Sequence, residues 1–227
     1  MGWLRLGICL GLICSGIAVA EDADDALAIK REAVPFPQGI SPAMQGILEK
    51  DAVHVRRGSD EVAVIWPARQ LTGKATAEQL RNGLSPRELT EGSVIGVVQF
   101  PKTWIDFRKQ EIPAGTYSLR YVTQPDTGDH KDTAPQPDFA LLINVDDDPT
   151  PDPLEAKQMI KPSMKVTGGD HPAVMLLWPI KEPGKEPQVV TKANKVRAVG
   201  LRYEVAVDAD KAHVGIGLTV TGSSTAR

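Results

Sequence analysis

Two Gly-Asp-His triplets, at 128–130 and 169–171, are the residues of this chain whose types and spacing point most directly to chemistry. The first lies in the run Gln124 to Asp132, which holds the carboxylates Asp126, Asp129 and Asp132 beside the imidazole of His130. The second stands just before an apolar segment that begins at Pro172. Brought together, Asp129, His130, Asp170 and His171 would offer two imidazoles and two carboxylates. That donor set suits a divalent metal of the zinc, copper or manganese kind. Convergence requires the strands they flank to lie side by side. The spacing matches no established metal motif: H-E-x-x-H is absent, and aspartates at 126, 129 and 132 do not alternate as the ligands of a calcium hand do. Asp and Gly between strands are also ordinary turn formers.

Other catalytic templates are missing. There is no G-x-S-x-G elbow and no phosphate-cradling glycine loop, and Ser223-Ser224 falls in a tail, 222–227, that is expected to be disordered. His54 and His213 sit in alternating segments and read as solvated, and Glu111 and Glu204 read as surface charges. A carbohydrate site would need exposed aromatic platforms, for which Trp104 is the one candidate. The residues therefore favour a non-catalytic binding or envelope-structural protein, with a metal-binding or metal-dependent hydrolytic site formed by the two Gly-Asp-His loops as the alternative.

The elements that must position these residues have a period of two. Val53 and Val55 alternate with His54 and Arg56, and Gly58-Ser59-Asp60 turns the chain into Val62, Val64 and Trp66, which predicts a hairpin. Further strands are expected at 93–100, 103–108, 115–123, 138–145, 172–178, 187–192, 196–207 and 212–221. The last sets Val214, Ile216, Leu218 and Val220 against a face containing Gly215 and Gly217, which predicts a close approach by another element or a bulge. Segments 62–66, 139–143 and 174–178 are apolar on both faces and need covers. Helices at 42–50, 77–82 and 153–160 are the available ones: Ser41-Pro42, the Thr76/Gln79 pair and Asp152-Pro153 are start signals. Pro113, Gly115 and Tyr117 form a turn similar to the tyrosine corner of Greek-key sandwiches, in which the phenol bonds backbone near the turn. The fold expected is mainly β, an antiparallel β-sandwich, Greek-key or jelly-roll-like, with two or three short covering helices.

Composition and the N-terminus bound the setting. Trp3 to Arg5, the apolar run Leu6 to Ile17 and Ala18-Val19-Ala20 have the form of a cleaved export signal. An apolar stretch of that length falls short of the roughly twenty residues that span a bilayer. Lipidation at Cys14 is disfavoured by Ile13, where a small residue is needed. Cleavage after Ala20 would yield a secreted or periplasmic chain with no membrane span and no thiol, since Cys9 and Cys14 both lie in the signal. A thiol-free chain excludes a cysteine nucleophile, a disulfide framework and a thiolate metal site. The signal peptide 1–20 would be followed by a flexible acidic, proline-containing leader, 21–40, and one sandwich domain, 41–221. The run 146–153, Asp-Asp-Asp-Pro-Thr-Pro-Asp-Pro, is either a linker or a surface crossover, and the crossover is preferred because neither half has a complete strand set. With 26 Lys plus Arg against 29 Asp plus Glu, and the basic residues scattered, nucleic acid is not an expected partner. The expected partner is an envelope or extracellular ligand.

The segments Phe107 to His130, Asp138 to Leu142 and His171-Pro172-Ala173, with their Gly-x-Tyr-x-Leu-Arg-Tyr, Gln-Pro, Gly-Asp-His and His-Pro-Ala motifs, resemble an uncharacterised family of predicted secreted bacterial β-rich proteins. The resemblance carries no activity with it. It implies that His130 and His171 belong to motifs, although Lys131-Asp132 stands here where the family pattern has a glycine.

Overall fold

The computed structural model describes residues 26–124, 134–169 and 171–222. They form a mainly β fold. The strands are β1 (Leu27–Ala33), β2 (Asp51–Arg57), β3 (Asp60–Pro67), β4 (Gln70–Thr72), β5 (Val94–Phe100), β6 (Trp104–Ile105), β7 (Glu111–Ile112), β8 (Gly115–Thr123), β9 (Asp138–Asn144), β10 (Val174–Ile180), β11 (Gln188–Thr191), β12 (Arg197–Val207) and β13 (Asp210–Thr221). All but β6 and β7 join one sheet in the order β1-β2-β3-β5-β8-β9-β10-β13-β12-β11, every neighbour antiparallel, with β4 added in parallel beside β12. The two ends of this path, β1 and β11, come into contact, so the sheet curls on itself.

Alternation explains the curl. One side chain in two points to the concave face, and there Val55, Ile65, Val98, Leu119, Leu142, Leu177, Leu201 and Ile216 meet in one core. Tyr117 packs in that core, and its hydroxyl donates to Pro113 O at 2.8 Å, which is the bond expected of the corner. Trp104 is buried as well: it stacks on Phe100 with ring centroids 4.6 Å apart and donates to Val220 O at 2.8 Å. It is no carbohydrate platform.

Strands apolar on both faces are covered where the sequence demands it. Helix α1 (Pro42–Gln45), capped by the Ser41 hydroxyl, begins the segment that lays Met44 and Leu48 on Val64 and Trp66 of β3. Full burial of such side chains contributes about 1.5–3 kcal/mol each. Helix α3 (Ala156–Thr167) places Met159 against Ile143 of β9 and Leu176 of β10. Helix α2 (Ala77–Asn82) has the expected Thr76/Gln79 capping box but covers neither strand; its Leu80 is half-buried against the main core.

Several expectations need correction. The leader does not run unstructured to residue 40, because Leu27 and Ile29 alternate with Ala28 and Lys30 and pair with β2 along its whole length. Helix α1 stops at Gln45 instead of 50, and 103–108 yields only the short ribbon of β6 with β7. The third helix starts at 156, not 153, because main-chain oxygens of Thr150 and Asp152 are engaged by Arg120, and it continues through Pro162 to a left-handed Gly168. The hydrogen-bonded path is one continuous sheet. Within it β10 changes partner midway: residues 174–176 pair with β9, and 177–180 pair with β13. There the glycine face of β13 receives the predicted close approach, since a Cβ on Gly215 would strike the Ile180 carbonyl.

Candidate functional site

Of the four residues proposed for a metal, Asp129, His130 and Asp170 lie outside the described residues. His171 is exposed, and its carbonyl accepts from the Thr167 hydroxyl at 2.8 Å. The flanking strands β9 and β10 are neighbours, as convergence requires. Their register, however, hangs the two loops from different ends. The first loop leaves from the Thr123↔Asp138 pair, whereas Val174, three residues after His171, lies opposite Leu141, and Ala173 O accepts from Leu142 N. Among the described residues no group of three or more His, Cys, Asp or Glu is placed to hold a metal.

Buried polar groups brace the ends of the sheet. Asp106 is fully buried and accepts from Arg108 N, Gln110 N and Gln110 Nε2 at 2.8 Å each, and from Val174 N at 3.2 Å. Burial pushes its carboxyl above the usual range, against the opposing pull of those donors. Gln110 also donates to Pro172 O at 2.9 Å, so the His-Pro-Ala segment is held by a structural carboxylate. Asp138 is buried and raised in the same way, with the Tyr121 hydroxyl donating to it at 2.8 Å. Arg120 is fully buried on the outer face of β8. Its five N–H groups reach Asp148 twice, Gly92 O, Thr150 O and Asp152 O. The run 146–153 is thereby clamped over the sheet as a surface crossover. Gly92, at φ +78°, lets it pass, because a Cβ there would collide with the backbone of Leu154.

The open chemistry lies elsewhere, at a gap in the wall beside β12. β11 begins at Gln188, opposite Gly200, and the ladder with β12 stops there. Pro67 closes β3, the chain turns through Ala68 and Arg69, and β4 joins β12 only at Glu204. Residues 201–203 of β12 are left between the two partners. The gap opens on a cleft of about 330 Å3. Arg31 of β1, Arg69, Lys185, Arg202 and His213 line it and are exposed, with Glu49 and Glu204 beside them.

The charges in this cleft are unequal. Glu204 bonds Gln70 and pairs with Lys211 at 2.8 Å, and these contacts hold its carboxyl below the ordinary range. The Arg69 guanidinium donates to Gly46 O. The side chains of Arg31, Lys185 and Arg202 have no hydrogen bond or ion pair to any other described residue, although the charge of Arg31 acts on the buried hydroxyl of Tyr203 on the core side of β12. That hydroxyl has no hydrogen-bond partner among the described residues. The arrangement can hold a charged ligand by its cations.

No protein-family model matches this chain, no curated protein matches it, and no solved structure matches it. This cleft is not legible in the sequence. Its residues come from β1, the α1–β2 link, the β3–β4 link, the β10–β11 loop, β12 and β13, and no local spacing ties them together.

Proposed function

We propose that this chain is an exported, non-catalytic binding protein, secreted or periplasmic after cleavage behind Ala20, whose small ligand sits in the cleft beside β12. The cleft carries the reading. It has the volume of a small-molecule site, and its walls come from six separate segments that only the fold brings together. Its neighbouring carboxylate, Glu204, is committed to Lys211 and Gln70, which suits holding a ligand better than converting one. We read the scaffold as a Greek-key or jelly-roll-like sandwich in which β10 is the corner strand shared by two walls; its mid-strand change of partner supports this. The cations ring a cleft, which speaks for a small envelope or extracellular ligand.

The test is a thermal-shift screen of the chain starting at Glu21 against a panel of small metabolites. Each stabilising compound is then re-run on Arg202→Ala and analysed by mass spectrometry after incubation. At least one compound should raise the melting temperature of the parent chain, lose that effect in Arg202→Ala, and be recovered unchanged. A compound recovered as a product, or stabilisation indifferent to Arg202, overturns the proposal.

A further inference from the structure

We infer that the cleft beside β12 selects oxyanions: small molecules bearing two or more carboxylate or phosphate groups. The inference rests on the proposed binding role of that cleft and adds the chemistry of its ligand. Four permanent cations, Arg31, Arg69, Lys185 and Arg202, face one opening of about 330 Å3. Lys211 offsets Glu204, so Glu49 is the one carboxylate left against those four, an excess of three positive charges. Like charges gathered at one opening repel each other, and no salt bridge to a described residue relieves Arg31, Lys185 or Arg202. A ligand carrying two or three negative charges matches that excess.

The donor type narrows the class further. Three of the four cations are guanidinium groups, whose planar forks meet carboxylate and phosphate oxygens two at a time. Arg69 is already oriented by its bond to Gly46 O, so it reaches the cleft with less freedom left to lose. The unpaired edge of β12 leaves the main-chain N–H of Arg202 on the same wall, since Ala206, in phase with it, faces β4. A neutral sugar would leave these charges without partners.

Isothermal titration tests this with three probes, citrate, inorganic phosphate and the neutral disaccharide trehalose, on the chain from Glu21 at low salt. Arg31→Ala and Arg202→Ala probe the cleft, and Lys161→Ala, an exposed lysine on α3, controls for net charge. All three replace exposed side chains, and thermal melts verify their folding. Citrate should bind, each arginine variant should weaken it about tenfold or more, and Lys161→Ala should leave it within about twofold. Raising the salt should weaken binding in the parent chain. Failure of both citrate and phosphate to bind, or an equal loss in Lys161→Ala, overturns the inference. Trehalose bound through Arg202 with no citrate binding would remove the oxyanion class while the cleft kept its role as a binding site.

Discussion

Arg120 sits on the outer face of β8, between Leu119 and Tyr121, which point into the core. A guanidinium placed there must either reach water or find acceptors for all five of its N–H groups. It finds them in the run 146–153 and at Gly92, and Asp148 returns the charge with a bidentate grip at 2.8 and 2.6 Å. Removing one member of such a pair strands the other in low dielectric, which costs about 3–5 kcal/mol. Arg120→Met should therefore lose about that much stability in urea unfolding. Arg120→Lys should rescue little, because an ammonium has three donors and no fork. Arg120→Met combined with Asp148→Leu should recover much of the loss, since no charge is then left unpaired. A loss below about 1 kcal/mol in the single variant, the range of an exposed pair, would refute the clamp.

At the scale of elements, β1 separates what the sequence discloses from what it conceals. Its Leu-Ala-Ile-Lys alternation is as clean as that of β2, but it follows an acidic segment and precedes Pro35 and Pro37, whose local signals favour an unstructured leader. The pairing that decides the matter lies with Asp51 to Arg57, some twenty residues on. The strands β2, β3, β8, β9, β12 and β13 were legible because alternation is local, and so were the buried faces of β3, β9 and β10 that α1 and α3 cover. The helix limits were not, because Arg120 claims Thr150 and Asp152 from 30 and 32 residues away. The candidate cleft was hidden for the same reason, its cations being neighbours only after the curl forms. A chain starting at residue 35 should lose the cover that Leu27 and Ile29 give the core and should bare the edge of β2. It should melt lower than the chain starting at 26 and aggregate at concentrations where that chain stays monomeric, as light scattering during a thermal ramp would show. Equal melting of the two would return 27–33 to the leader.

For the whole molecule the question is whether the acidic, proline-rich run 146–153 divides the chain into two folding units. The core answers it. Val55, Val98 and Leu142 from before that run pack in one cluster with Leu177, Leu201 and Ile216 from after it, and β9 pairs with β10 across it. Neither half can keep its concave face dry alone, because each supplies only part of the wall facing the other. Unfolding should therefore be a single transition, with calorimetric and van't Hoff enthalpies in agreement and a heat-capacity change of about 12–15 cal/mol/K per residue for the ordered chain. A protease site inserted between Pro151 and Pro153 sharpens the contrast, since domains joined by a linker survive such a cut and separate. Here the cut fragments should stay associated on a sizing column under native conditions, and neither should refold by itself when separated in urea and diluted. Two resolved transitions, or an isolated 154–222 fragment with a cooperative melt of its own, would mean that the curl closes over two cores and that the cleft beside β12 lies at a domain boundary.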